Sequence, residues 1–436
     1  MKKLLIAAGV FVAVFVLLVL FLIARGRTGP LLSEPASVGR GETTPIGGVR
    51  EEQPGFLFGR ITTIDGATYQ GRLRWGGSEE AFWGDYFNGD KKENPWLVHV
   101  PPEKLPKRSH SLEILWFKIG EHEIKPSFDR LFMSRFGDIA RIEAHGKNVR
   151  VKLKSGTVFD LERHQASDFD DGIRVWDETR GVVDLDSLRI STIELLPTAP
   201  ISAPPVRLHG TVRTRHADFT GFIQWDRNEC VGTDELEGET TEGEVSFRYD
   251  TMRSIERRSR RSALVTLSDG REVLMTPHQG DPGNRGIYVD DRRYGRVLVS
   301  WDAFGRLDFS PGGSGPAYGD FPAGRKLTGS VTTRDGRRLA GRLVYDLDES
   351  ETTETLDAPS LGVDYTIPFG MIASITPGTE LAQVTLKNGE ELRLDSVADL
   401  GERNAGILVF ADGELRPEYL PWADVARIEL DHPPEK

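Results

Sequence analysis

Side chains that could bind a metal or act as a nucleophile are few in this chain, and they lack the spacing that such chemistry needs. The 436 residues include nine histidines and one cysteine. The segment Glu121-His122-Glu123 lacks the second histidine that a zinc-binding helix supplies. No serine sits in a Gly-x-Ser-x-Gly turn, and no phosphate-binding P-loop motif occurs. We therefore expect no catalytic residue, no metal and no cofactor, and Cys230 reads as an incidental loop residue.

Carboxylates are abundant, and they gather in loops that follow a predicted hairpin. These acidic residues are Glu79, Glu80, Asp234, Glu235, Glu237, Glu239, Glu242, Glu244, Asp346, Asp348, Glu349, Glu351 and Glu354. Acidic loops of this kind keep strand edges soluble. Weak Ca²⁺ binding is the alternative, although the segment 167–172 lacks the alternating acidic positions of a calcium loop.

Aromatic residues are concentrated in one insertion, residues 76–134. Ser78 is a plausible helix N-cap, the pairs Phe82/Tyr86 and Trp83/Phe87 have helical spacing, and Asn88-Gly89 would end the helix. If any surface of this chain binds a partner, we expect it at the aromatic residues Trp83, Tyr86, Phe87 and Trp96. The alternative is that the same rings fill or cover the core of the first block.

Basic residues form one cluster, in the segment RSIERRSRRS at 253–262. Its candidate binding side chains are Arg257, Arg258, Arg260 and Arg261. A solvated turn or an internal salt-bridge site is one interpretation, and docking of an anionic polymer or partner is the other.

Strands must position all of these residues, because one motif opens three blocks of the chain. It reads FGRITTIDGATYQGRLRW at 58–75, HGTVRTRHADFTGFIQWD at 209–226 and KLTGSVTTRDGRRLAGRLVYD at 326–346. Apolar residues alternate, as in strands, and Asp-Gly turns join the two strands in the first and third copies. A glycine in each second strand lies on the apolar face, which marks a bend or a close backbone approach.

A second motif follows in each block: VKLKSGTVFDL, VTLSDGREVLM and VTLKNGEELRL, beginning at Val151, Val265 and Val384. Each is followed by GIRV, GIYV or GILV and a further strand. At six places in the chain, an aromatic residue or a leucine is followed at short intervals by aliphatic residues. This pattern indicates a strand, then a short helical turn, then another strand. The sequence therefore predicts an all-β protein of six tandem small units in three pairs.

Pro- and Gly-rich stretches separate the blocks. We expect a flexible tether at 25–57, a first pair at 58–196, a Pro-rich spacer at 197–206, a second pair at 207–309, a flexible spacer at 310–325 and a third pair at 326–430.

The repeating unit resembles the SH3-like or Sm-like small β-barrel. The chain is also similar to uncharacterised repeat proteins of bacterial envelopes, a resemblance that implies a fold and no activity.

The N-terminus predicts location. Two lysines precede an uninterrupted apolar run, 4–24, which is long enough to cross a bilayer as a transmembrane anchor. A cleaved signal peptide is the alternative. The bulk of the chain would then be extracytoplasmic, in the periplasm or at the cell surface.

Residues 28–436 carry 51 basic and 67 acidic residues, a net charge of −16 that disfavours nucleic acid as a partner.

From these features we expect a non-enzymatic, membrane-anchored scaffold or binding protein of the bacterial envelope, whose partner is an envelope protein or a glycan. The alternative is an envelope hydrolase that uses carboxylates of the first block.

Overall fold

The computed structural model is all-β and antiparallel. It describes residues 50–76, 80–104, 113–114, 117–118, 130–163, 166–202, 204–278, 285–414 and 416–431. In these ranges the strands form sheets of ten, twelve and eight strands and two short two-stranded pairs, Arg50–Glu51 with Ile201–Ser202 and Glu113–Ile114 with Phe117–Lys118. No described helix has the length and apolarity needed to cross a membrane. The predicted anchor, 4–24, and most of the tether lie outside the described residues.

Each block contains two sets of five strands, and we call the set that contains both ends of the block its outer set. In block one the outer set comprises Phe58–Thr63, Thr68–Trp75, Ile173–Asp177, Gly181–Leu185 and Ile190–Leu195. In block two it comprises His209–Arg213, Asp218–Gln224, Ile287–Asp291, Gly295–Val299 and Arg306–Phe309. In block three it comprises Thr328–Thr333, Arg338–Val344, Ile407–Phe410, Glu418–Leu420 and Val425–Leu430.

The inner set of each block lies in sequence between the second and third strands of the outer set. In block one it comprises Tyr86–Lys91, Arg130–Arg135, Ile139–His145, Asn148–Leu153 and Val158–Glu162. In block two it comprises Glu235–Thr240, Gly243–Arg248, Met252–Arg257, Ala263–Leu267 and Glu272–Pro277. In block three it comprises Thr355–Ser360, Val363–Pro368, Ile372–Thr376, Leu381–Leu386 and Glu391–Asp395.

Helical elements in the described ranges are short. One α-helix spans Ser167–Asp170. A 3₁₀ turn joins the second and third strands of every inner set, at Phe136–Asp138, Tyr249–Thr251 and Phe369–Met371. The other 3₁₀ turns are Leu97–His99, Pro102–Lys104, Ser187–Arg189, Tyr318–Asp320, Ala398–Leu400 and Trp422–Asp424.

The predicted tandem order of units within a block is therefore wrong, because the two sets are nested. In block one, Ile173–Asp177 pairs with Thr68–Trp75 of the opening hairpin, across the whole inner set. Blocks two and three repeat this pairing. Such long-range pairing leaves no mark in the local alternation of apolar residues, which is why the repeats read as consecutive units.

The close backbone approach predicted at the mid-strand glycines is confirmed. A Cβ atom added to Gly71, Gly221 or Gly341 would lie only 1.9–2.0 Å from a backbone carbonyl oxygen of the neighbouring strand. Only glycine permits the opening hairpin to lie this close to the third strand of the outer set.

The blocks are joined by more than their linkers. Two inner strands of block three extend the sheet of block two: Val363–Pro368 pairs with Gly295–Val299, and Thr355–Ser360 pairs in turn with Val363–Pro368. One hydrophobic core runs through blocks two and three, and a second fills block one.

The prediction that 310–325 is a flexible spacer is wrong, because this segment packs on block one. Tyr318 donates a hydrogen bond from its hydroxyl to the Ile139 carbonyl oxygen at 2.8 Å. Lys154 Nζ lies 2.6 and 2.9 Å from the carbonyl oxygens of Tyr318 and Phe321. Phe321 is buried in the core of block one. The aromatic residues of this Gly- and Pro-rich segment thus act as anchors.

The helix predicted after Ser78 is also wrong. Tyr86–Lys91 is a strand, and Phe82 forms an isolated β-bridge with Phe56. Tyr86 and Phe87 are both buried, on opposite faces of the strand, between packed layers. The spacing of four residues between Phe82-Trp83 and Tyr86-Phe87 thus resembles that of a helix, although the segment is not helical.

Candidate functional site

Three carboxylates at equivalent positions close the turn that precedes each inner set: Asp85, Asp234 and Glu354. Each accepts hydrogen bonds from the backbone N–H groups three and four residues earlier, over 2.6–3.1 Å. Hydrogen bonds to an ionised carboxylate are stronger than those between neutral groups. These carboxylates therefore fix the path of the chain from the outer to the inner set.

The same carboxylates connect the blocks, because each is ion-paired with a cation from a different block. The pairs are Asp85–Arg296, Asp234–Arg74 and Glu354–Lys91, with distances of 2.6, 3.4 and 2.8 Å. The first and third pairs are almost fully buried. A repeated turn carboxylate thus also holds the three blocks together.

Two arginines of block two lie at the centre of this junction. Arg296 donates to Asp85, as above, and to Asp290 Oδ1 at 2.8 Å. Arg207 donates to Asp290 Oδ2 at 2.9 Å, and its guanidinium lies between the rings of Phe82 and Phe222, 3.9 and 4.0 Å from their centroids. The two positive charges are therefore compensated by carboxylates and aromatic faces.

A cavity of about 640 Å³ opens beside this network, where all three blocks meet. Apolar side chains from the three blocks and the 310–325 segment form part of its wall: Tyr86, Phe222, Phe321 and Met371. The exposed Arg292 and the ion pair of Arg293 with Asp291, at 2.7 Å, lie in the same wall. His209 also lines the cavity, and burial lowers the pKa of its ring. A concave site that combines an apolar wall with polar groups is typical of a binding site.

The aromatic residues singled out from the sequence do not form one surface. Trp83 and Phe87 are fully buried in the core of block one, and Trp83 Nε1 donates to the Pro54 carbonyl oxygen at 2.9 Å. Tyr86 is 4% exposed and lines the cavity. Trp96 lies elsewhere and packs on Phe410 of block three, with ring centroids 6.1 Å apart. The burial of three of the four rings favours the core interpretation over an exposed aromatic groove.

The basic cluster lines an open groove of about 620 Å³ in block two. Arg257 and Arg258, two of its arginines, are ion-paired with Asp302 at 2.8 Å and Glu256 at 2.9 Å. Arg260 is exposed in the groove wall and Arg261 is exposed beside it. Arg257 is partly buried in its ion pair, whereas Arg258, Arg260 and Arg261 are exposed to solvent, and docking of an anionic partner at this cluster stays a prediction.

The remaining sequence predictions concern a metal site and the single cysteine. Within the described ranges, no three His, Cys, Asp or Glu side chains are positioned to hold a metal ion. Cys230 is buried, and burial raises the pKa of its thiol to about 12, which keeps the sulfur protonated and unreactive.

Sequence reasoning missed the role of the turn carboxylates. The sequence places Asp234 and Glu354 among the acidic loops and gives no prediction for Asp85. Their equivalent position, directly before the first inner strand of each block, was the available signal. Comparisons with family models, curated proteins and solved structures found no match to this chain.

Proposed function

We propose that this chain is a non-enzymatic scaffold or binding protein of the bacterial envelope, anchored in the membrane by residues 4–24 with its bulk outside the cytoplasm. The observation that supports a binding role is the cavity where the three blocks meet. Its two aspartates, Asp290 and Asp291, are ion-paired with Arg296 and Arg293, and apolar side chains form much of the remaining wall. This arrangement is suited to holding a ligand.

The partner that this cavity suits is an envelope protein or a glycan. Aromatic rings such as Tyr86 and Phe222 pack against apolar side chains and against the C–H faces of sugars. Arg292, exposed in the wall, suits a carboxylate on either kind of partner.

We also propose that each of the six five-stranded sets is a small barrel of the SH3-like or Sm-like type. The close backbone approach at the mid-strand glycines, the 3₁₀ turns between strands and the presence of five strands in each set support this assignment. Two such units per block enlarge a core that one unit alone would leave small.

The hydrolase alternative has less support. Two carboxylates of block one, Asp85 and Asp138, are buried and ion-paired with Arg296 and Arg135 at 2.6 and 2.7 Å. A pair of catalytic carboxylates would instead face each other across a cleft.

A capture experiment with the full chain tests the binding role. The wild type and Arg292→Glu would be purified from native membranes, and the recovered partners compared. Arg271→Glu is the matched control, because it reverses an exposed charge of the same block outside both the cavity and the basic cluster. We expect a partner that is lost with Arg292→Glu and kept with Arg271→Glu. Equal recovery with both variants would contradict a role for the cavity.

A further inference from the structure

The open groove of about 620 Å³ in block two, which we call the basic groove, carries many more cations than anions. Its charged wall residues are the arginines Arg213, Arg215, Arg257, Arg258, Arg260 and Arg306 and the acids Glu256 and Asp302. Residues 28–436 as a whole have the opposite balance, with 51 basic and 67 acidic residues. A cleft lined by one sign of charge concentrates ligands of the other sign, so this groove favours an anion.

Three of these arginines lie on neighbouring strands of one sheet. Arg213 ends the first outer strand of block two and Arg257 ends the third inner strand. Arg306 begins the fifth outer strand, which lies between those two and pairs with both. Arg213 is directly opposite Arg306 in this pairing. Like charges at directly opposite positions destabilise a sheet, so the fold alone gains nothing from this row.

The equivalent positions in the other two blocks show that the shared fold does not need the row. Thr62 lies opposite Thr192 in block one, and Thr332 lies opposite Arg427 in block three. Both sheets therefore form with threonine in the place of Arg213. The row of arginines distinguishes block two from the other blocks, as a binding surface would.

The guanidinium groups that line the groove are not all used by ion pairs within the chain. The ion pairs of Arg213 with Asp308 and Asp218 are long, at 3.5 and 3.7 Å. Arg215 and Arg260 are exposed, and neither is ion-paired with a residue that the structure describes. These three side chains can therefore bind an anion without breaking a short ion pair.

The turn that carries Arg260 is held in place by bonds that do not involve its guanidinium. Trp301 Nε1 donates a hydrogen bond to the Arg260 carbonyl oxygen at 2.8 Å, and the ring of Trp301 is buried. The hydroxyl oxygens of Ser259 and Ser262 lie 2.7 Å apart across the same turn. The position of the arginine is thus fixed before a ligand arrives, which lowers the entropy lost on binding.

The shape and spacing of the groove favour a chain of carboxylates. Phe304, the aromatic residue in its wall, is buried, so the bases of a nucleic acid would find no exposed ring on which to stack. Neighbouring strands are about 4.8 Å apart, whereas an extended peptide repeats its side chains on one face about every 7 Å. An acidic polysaccharide carries one carboxylate per sugar ring, a spacing closer to that of the strands. Arginine binds carboxylates through two parallel hydrogen bonds.

We propose that the basic groove binds an acidic polysaccharide, whose carboxylates pair with Arg213, Arg215 and Arg260. The other arginines of the wall keep their ion pairs with Asp302 and Glu256 and add to the positive field. This groove is separate from the cavity of the proposed function, and the proposal does not depend on that cavity.

Isothermal titration of the purified full chain at pH 7.5 and low ionic strength tests the proposal. The ligand would be polygalacturonate, with dextran as the neutral control. We expect polygalacturonate to bind, more weakly as NaCl is added, and dextran to be silent. Silence of polygalacturonate would overturn the proposal. So would equal or tighter binding of poly-L-glutamate, or of vesicles of phosphatidylglycerol and phosphatidylcholine, because the groove would then serve an acidic protein or a membrane.

The double variant Arg215→Glu/Arg260→Glu reverses two charges in the groove. Its matched control is Arg248→Glu/Arg271→Glu, which reverses two exposed arginines of the same block outside the groove. We expect the groove variant to weaken polygalacturonate binding about tenfold or more and the control to change it less than about twofold. Equal weakening by both would show that the whole surface, and not the groove, attracts the polymer.

Arg213→Thr gives a second test that the fold should tolerate, because blocks one and three have threonine at this position. We expect it to keep the melting temperature of the wild type and to weaken polygalacturonate binding about threefold or more. Unchanged binding in a folded Arg213→Thr variant would contradict the role of the arginine row.

Discussion

Asp85 Oδ1 lies 2.6 Å from Arg296 Nη2, and this ion pair joins the turn before the inner set of block one to the outer set of block two. Both side chains are almost fully buried. A buried ion pair adds little net stability compared with apolar residues, but removal of one partner leaves the other charge buried and uncompensated. The pair therefore makes the contact between these two blocks specific.

The first prediction concerns this pair. Arg296→Leu should lower the free energy of unfolding by about 3–5 kcal/mol, because Asp85 and Asp290 lose a buried cation. Arg60→Leu is the control, since its pair with Glu194 is exposed and long, and we expect it to change stability by less than about 1 kcal/mol. Thermal unfolding of the full chain measures both, and equal effects would refute the structural role of the junction.

The second prediction concerns the mid-strand glycines. Gly221→Ala places a Cβ atom 2.0 Å from the Asp290 carbonyl oxygen, so the paired strands must separate. We expect a loss of several kcal/mol, on the order of a severe core overpacking. Gly319→Ala, whose Cβ atom meets nothing within 4 Å, should be neutral. Chemical denaturation of the two variants compares them directly.

The third prediction concerns pH. Burial raises the pKa of Glu229 to about 7, so the folded protein retains this proton at pH values where the unfolded chain has lost it. The group's contribution to stability is thus most favourable below about pH 4.5 and is lost as the pH rises to about 7. Glu229→Gln removes the cost of ionisation, so the variant should be more stable than the wild type at pH 8, by up to about 3 kcal/mol.

At pH 4 the two proteins should have nearly the same stability, because Glu229 is protonated in both the folded and the unfolded wild type. Melting temperatures of wild type and Glu229→Gln from pH 4 to pH 8 give the comparison. A difference that is constant across this range would show that Glu229 does not titrate as described.

The fourth prediction separates core from binding roles among the aromatic residues. Trp83→Ala should destabilise the chain by about 3–5 kcal/mol, because its ring is fully buried and its Nε1 atom donates to Pro54 and Thr198. Partner recovery should then fall only in proportion to the unfolded fraction. Loss of a partner from a variant with an unchanged melting temperature would restore the binding interpretation.

Local features of the fold could be predicted from the sequence. The opening hairpins are strands with the predicted alternation, and Gly71 lies where the pattern placed a close approach. The nesting could not be predicted, because the partner of Thr68–Trp75 is chosen by contacts far along the chain. The composition of 310–325 does not predict its structure. Its glycines and prolines suggest a flexible spacer, but Tyr318 and Phe321 pack on block one and hold the segment in place.

The candidate sites were less accessible to sequence reasoning. Tyr86 was singled out and does line the large cavity. The contact between Lys91 and Glu354 has no sequence signal, because the two residues belong to different blocks and meet only in the folded chain. Charged residues in loops look alike in a sequence, and only burial distinguishes a solvated acid from a structural one.

The nested order of strands has a consequence for how the chain is made. Synthesis proceeds from the N-terminus, so the hairpin Phe58–Thr63/Thr68–Trp75 is produced long before Ile173–Asp177, the strand that must pair with it. The inner set has shorter loops to close, since its longest connection in block one is 92–129, against 76–172 between the paired outer strands, and it should form first. During that interval each opening hairpin exposes an unpaired edge, which makes the growing chain, rather than the finished protein, the form most in need of a chaperone.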